Sequence, residues 1–199
     1  MKKIFSLLFS SLLFFAACND KTKKSGEDGG TATVAQNSDY PITMDGIGPI
    51  KVSMSQEELE KLLNQKVPLA NLTDTVSGSW EDSATIKYKE AELRLGFVRT
   101  YMANDSFYMR VTGIKTSSPL CKTTNGLGIG SGKQQIIDAY ESYLLFMAPE
   151  YEDTTYTTRS KTRYSIKVRE TYEGGQLVFY LTNNKVTAIE ASTFYDDSE

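Results

Sequence analysis

Leu93, Leu95 and Phe97 stand two apart, with Arg94 and Gly96 between them. The same alternation recurs at Tyr164, Ile166 and Val168, and again at Leu177, Phe179 and Leu181. Successive side chains of a strand point to opposite faces, so each run has one apolar side and one polar side. Such strands belong to antiparallel sheets with one face packed and one face wet. Strand-like runs, three of them carrying this alternation, predict strands over 85–89, 92–99 and 107–115, and then over 164–170, 176–182 and 185–193. Gly174-Gly175 and Asn183-Asn184 are tight-turn signals between the later runs.

A helix signal precedes each group of three. Ser55-Gln56-Glu57-Glu58 is a Ser-x-x-Glu capping box, and Leu59, Leu62 and Leu63 follow on one helical face. Pro68 then forbids continuation. The same grammar returns at Leu127-Gly128-Ile129-Gly130-Ser131-Gly132, which aligns with 50–55. Ile136, Ile137, Tyr140, Leu144 and either Met147 or Ala148 form its apolar stripe, which predicts a helix closed by Pro149. The fold expected is therefore α+β: two tandem units, each a helix packed on a three- to four-stranded antiparallel sheet. The first unit would span 41–122 and the second 123–199.

The segment before the body reads differently. Met1-Lys2-Lys3 is a positive start, and Ile4 to Ala17 is an apolar run interrupted only by serines. That run is shorter than the ~20 apolar residues a bilayer span needs, and it has the layout of a secretory signal. Ala16-Ala17-Cys18 resembles the lipobox of bacterial lipoproteins, with Phe15 where leucine is usual. The resemblance implies a signal peptide over 1–17, cleavage before Cys18, and palmitate-type acylation of that cysteine. It places the chain in the bacterial cell envelope, lipid-anchored, with the outer membrane as the expected location. Residues 18–40 hold Lys21, Lys23, Lys24, Glu27 and Asp28 with few large apolar groups, and read as a disordered tether reaching roughly 25 Å.

Composition removes several chemistries. The chain has no histidine, which excludes Ser-His and Cys-His nucleophile pairs and histidine-ligated zinc. It has two cysteines, so acylation of Cys18 leaves Cys121 without a disulfide partner, as a small buried apolar residue. Net charge is −3, and loss of Lys2 and Lys3 with the signal makes the body more acidic, against nonspecific nucleic-acid binding. The glycine-rich stretch 126–133 fails the Walker pattern at Leu127 and Gln134, and fails the dinucleotide pattern at Ser131. No cofactor and no metal are expected. Glu150, Glu152 and Asp153 cluster, but after Pro149 they read as a solvated loop.

Gly48-Pro49-Ile50-Lys51-Val52-Ser53-Met54-Ser55 is similar to the helix lead-in of the small outer-membrane lipoproteins of the β-barrel assembly machine. It is also similar to that of secreted β-lactamase-inhibitor-type domains. Ser53 stands where glycine is usual. The resemblance implies tandem helix-plus-sheet units and a tendency toward protein binding, and carries over no partner.

The polar positions of the strands supply the candidate site: Arg94, Tyr108, Arg110, Lys167, Arg169 and Tyr180 on one sheet face. Tyr and Arg are enriched at protein-binding hot spots. The expectation is a noncatalytic envelope lipoprotein that binds a protein partner through this face. Two other readings fit the residues: a glycan- or small-ligand-binding lipoprotein with a pocket lined by Tyr and Trp80, and a hydrolase working through paired carboxylates.

Overall fold

The computed structural model describes residues 40–69, 81–102 and 106–194, all within one compact unit. The signal, Cys18 and nearly all of the expected tether lie outside the described residues, as does Trp80. Tyr40, expected to end the tether, is buried and its hydroxyl accepts from the Glu90 backbone N–H at 3.2 Å.

Short strands β1 (Pro41–Thr43), β2 (Gly46–Ile47) and β3 (Ile50–Lys51) lead to helix α1 (Gln56–Leu63). Strands β4 (Glu81–Tyr88), β5 (Ala91–Tyr101) and β6 (Phe107–Thr116) follow, then the short β7 (Lys122–Thr123). Helix α2 (Lys133–Ala139) precedes β8 (Leu144–Tyr151), β9 (Arg159–Arg169), β10 (Gly174–Thr182) and β11 (Lys185–Phe194). The long strands form one seven-stranded sheet in the order β4-β5-β6-β11-β10-β9-β8, antiparallel throughout. The short ones form a second sheet, β3-β2-β1-β7, in which β1 runs parallel to β7.

The alternation read from sequence sets the layers. Leu93, Leu95, Phe97, Ile166, Val168, Leu177, Phe179 and Leu181 are buried on one face of the large sheet. Ile42, Ile47 and Ile50 of the small sheet, Leu59 of α1 and Ile136 of α2 join them in one core. Gly46 permits the close turn between β2 and β3: its φ is 153°, and a Cβ there would lie 2.1 Å from the Ile50 carbonyl oxygen.

Three sequence expectations are overturned. The chain is not an α+β pair of helix-plus-sheet units. Among the described residues it is mostly strand, with two short helices, and β6 pairs with β11 over Gly113–Thr116 and Ile189–Ser192. That ladder satisfies edge N–H and C=O groups that two separate sheets would leave open, so the two halves share one sheet. The second helix also stops far short of Pro149. Leu144, expected on its stripe, opens β8 together with Met147 and Ala148, because this apolar run pairs with β9 from Leu144↔Arg169 to Pro149↔Tyr164. A short continuous apolar run fits helix and strand periodicity equally, and β9 decided between them. Similarly, α1 ends before Pro68, at Asn64, whose left-handed φ of 51° caps it.

Local correspondence between the halves survives inside the single sheet. The Ser53 N–H donates to Val111 O at 2.7 Å and the Val111 N–H to Met54 O at 2.9 Å. Likewise the Gly130 N–H donates to Val186 O at 2.8 Å and the Val186 N–H to Ser131 O at 2.9 Å. Each lead-in thus bonds to the part of β6 or β11 left free by the central ladder. The glycine-rich stretch before α2 is consumed by this pairing. Ser55 caps α1 with a complete capping box, its Oγ accepting from the Glu58 N–H at 3.2 Å.

Ser53 and Gly130 hold equivalent places, with φ of 70° and 87°. A non-glycine residue there costs about 1–2 kcal/mol, part of which glycine returns as unfolded-chain entropy. Ser53→Gly is expected to raise stability by about 0.5–1 kcal/mol, read from the urea midpoint at constant slope.

Candidate functional site

The helices and the small sheet join the core on the apolar face of the large sheet, while on the polar face Val178, Gln176, Ser192 and Arg169 are buried among their neighbours. Cross-strand registers set its rows. Arg94 faces Lys115, Lys115 faces Glu190, Glu190 faces Val178, and Val178 faces Lys167. In the adjoining row Ser83 faces Gly96, Gly96 faces Gly113, Gly113 faces Ser192, and Ser192 faces Gln176. Four small residues in succession on neighbouring strands leave a trough about 14 Å long, from three strand spacings of roughly 4.8 Å. It is part of a groove of about 770 Å³. Arg94 and Lys115 flank the glycine floor, the Glu190 carboxylate lies over Gly113, Glu81 and Asp82 stand at one end, and Gln176 at the other.

The walls are set by a second set of contacts. The Tyr180 hydroxyl donates to Glu190 Oε2 at 2.8 Å, and Lys115 Nζ sits 3.4 Å from the centre of the Tyr180 ring. Burial, reinforced by the negative charge of Glu190, pushes the Tyr180 hydroxyl far above its ordinary pKa, so it stays a donor. Arg169 is buried, with its guanidinium carbon 3.2 Å from the Phe194 ring centre and 4.8 Å from that of Phe146. Its Nε donates to Gln176 Oε1 at 2.9 Å, and Gln176 Nε2 donates to Ser192 Oγ at 3.1 Å. Arg94, by contrast, is exposed and forms no ion pair with a described residue.

The six residues singled out from sequence therefore have different positions. Arg94 lines the groove. Tyr180 and Arg169 buttress it from beneath or beside, through Glu190 and Gln176. Lys167 lies farther along the Arg94 row. Arg110 donates from Nε to Thr100 Oγ1 at 3.3 Å, and Tyr108 lines a separate hollow of about 850 Å³ beside the start of α1. Sequence reasoning missed Gly96, Gly113, Ser192 and Lys115. The available signal was a glycine inside each of two strand patterns, which marks a close approach or a ligand.

Glu150 lies in β8 rather than in the loop expected after Pro149, and the other two acids of that cluster are internally occupied. Glu152 pairs with Arg163 at 2.9 Å. Asp153 accepts from the N–H and Oγ1 of Thr155, the N–H and Oγ1 of Thr157, and the N–H of Thr158. The backbone bond from Thr157 leads these in holding its carboxyl well below the usual range. A depressed carboxylate contributes order that is present above its ordinary pKa and lost only as pH falls through the lowered value. The Thr155, Thr157 and Thr158 amides are expected to keep their hydrogen-bonded shifts at about pH 3, where an ordinary aspartate is largely protonated. Amide and carboxyl NMR titration checks this; a carboxyl titrating at the ordinary value contradicts it.

Cys121 is buried, and burial pushes its thiol up, so it is a poor nucleophile at neutral pH. Among the described residues no cluster of three or more acidic or sulfur side chains could hold a metal ion. No helix among them is long and apolar enough to cross a membrane. No protein-family model, no curated protein and no solved structure matches this chain.

Proposed function

We propose that this chain is a lipid-anchored envelope protein whose body binds a protein partner through the open face of its seven-stranded sheet. The observation that carries the reading is the groove itself: a glycine floor walled by the exposed Arg94 and the Tyr180-stacked Lys115. Glu190 Oε1 and Thr112 Oγ1 lie 3.0 Å and 3.2 Å from where Cβ atoms of Gly113 and Gly96 would stand, so a partner would meet a carboxylate and a hydroxyl over the floor, and the exposed arginine beside them offers a two-pronged contact. The lipobox resemblance at Cys18 supports the anchor, and the absence of histidine supports a binding role without imidazole chemistry. No aromatic side chain lines the groove among the described residues.

The test is crosslinking in intact cells followed by capture of the tagged full chain. Wild type is expected to recover a discrete protein that the Arg94→Glu variant loses, with an unchanged melting temperature, since Arg94 is exposed and in no ion pair with a described residue. Equal recovery by both, or recovery by neither, contradicts the reading. Cys18→Ser is expected to move the protein from the membrane fraction to the soluble one; retention in the membrane removes the anchor from the account.

A further inference from the structure

The two edges of the large sheet are unlike. At one end β4 presents Glu81, Ser83, Thr85 and Lys87 as its exposed side chains, a charged and polar edge of the kind that discourages pairing. At the other end β8 has β9 as its one strand neighbour among the described residues. Leu144 through Ala148 carry no charge, and both faces of this stretch are apolar. Half of the large apolar side chains exposed among the described residues lie on or beside it: Tyr143, Phe146, Met147, Tyr151 and Tyr156. Phe146 is held in place by the Arg169 guanidinium, and Tyr151 packs edge-on against Tyr156 at 5.4 Å.

An open strand edge is a row of unmet N–H and C=O groups, and what satisfies such a row in register is another strand. Pro149 and the irregular register after it end the usable ladder, leaving about five residues. The flanks select among strands. Glu141 precedes the apolar stretch and Glu150 follows it, while Glu152 is already neutralised by Arg163. A second copy laid antiparallel would bring these acidic flanks toward their own kind. A segment with basic ends would meet Glu141 at one end and, beside Arg159 of β9, Glu150 at the other.

We infer that β8 is a strand-addition site for an extended polypeptide segment with an apolar centre and basic ends, separate from the groove on the open face. Side chains of the added strand would alternate between Phe146 on one face and Met147 on the other, with the Tyr151–Tyr156 pair at its rim.

The probe is a synthetic peptide of alternating valine and threonine with two lysines at each end, added to the full chain. Fluorescence anisotropy reads affinity, and hydrogen exchange reads which amides are covered. The account expects protection at Leu145–Ala148, at least tenfold weaker binding when the lysines become glutamates, and loss of binding when proline replaces the central residue. Met147→Lys, at a half-exposed position that spares the core, is expected to weaken the lysine-flanked peptide at least tenfold. Absence of binding, indifference to the central proline, or protection confined to β4 overturns the inference. A concentration-dependent dimer abolished by Met147→Lys also overturns it, by showing that the occupant is a second copy.

Discussion

Phe179→Ala is expected to cost about 3–5 kcal/mol, the largest loss from any single substitution considered for this chain. The Phe179 ring is fully buried at the centre of β10, and it packs against Tyr140 of the α2 cap with ring centres 5.9 Å apart. Removing it leaves a cavity bounded by sheet and helix, and neither can collapse without breaking ladder bonds to β9 and β11. Against a typical domain stability of about 5–15 kcal/mol this is a large fraction. Because β6 and β11 weld the halves together, the loss should shift one cooperative transition rather than split it in two. Tyr172→Ala, at an exposed turn, is the control and should stay within about 0.5 kcal/mol. Urea unfolding followed by fluorescence and by circular dichroism checks both points; two separated transitions would contradict the single-sheet account.

Arg169→Ala is expected to cost about 2–4 kcal/mol, through a different mechanism. The substitution removes a cation held between two phenyl rings, worth about 0.5–2 kcal/mol. It also strips Gln176 Oε1 of its Nε donor in a buried place, at about 1–3 kcal/mol. Arg169→Lys should recover less than half of the loss, because an ammonium lacks the planar group that stacks on Phe194 while donating sideways to Gln176. The damage should travel along the side-chain chain to Ser192, one of the four small residues of the trough. Exchange of the Ser192 and Gly113 amides is therefore expected to quicken in the alanine variant more than that of the distant Lys87.

Period-two alternation made β5, β9 and β10 legible, because a half-buried strand writes its geometry directly into residue order, and β4, β6 and β11 were legible as strand-like runs. The capping box at Ser55 and Glu58 was legible for the same local reason. What residue order could not carry was the pairing of β6 with β11, since a ladder between strands far apart in the chain leaves no mark on either strand alone. The fate of Leu144–Tyr151 was hidden too. Nothing inside that run separates strand from helix; the neighbour β9 does.

Of the candidate groove, Arg94 was legible, and the rest was obscured by the same gap. Tyr180 and Arg169 announce themselves as interface residue types, yet each is spent on internal contacts to Glu190 and Gln176. Gly96 and Gly113 look like weak points of two strands until register places them opposite one another. A groove made of what two strands lack becomes visible only when the strands are aligned.

The central claim is that the partner binds the open face, and one measurement addresses it directly. A photo-crosslinking amino acid is placed at Ser83, in the small-residue row of the groove, and separately at Lys122, exposed on the small sheet that joins the core behind the opposite face. Both full-length variants are irradiated in intact cells and their adducts identified by mass spectrometry. The account predicts a discrete protein adduct from Ser83 and none from Lys122. An adduct from Lys122 with none from Ser83, or none from either, contradicts it.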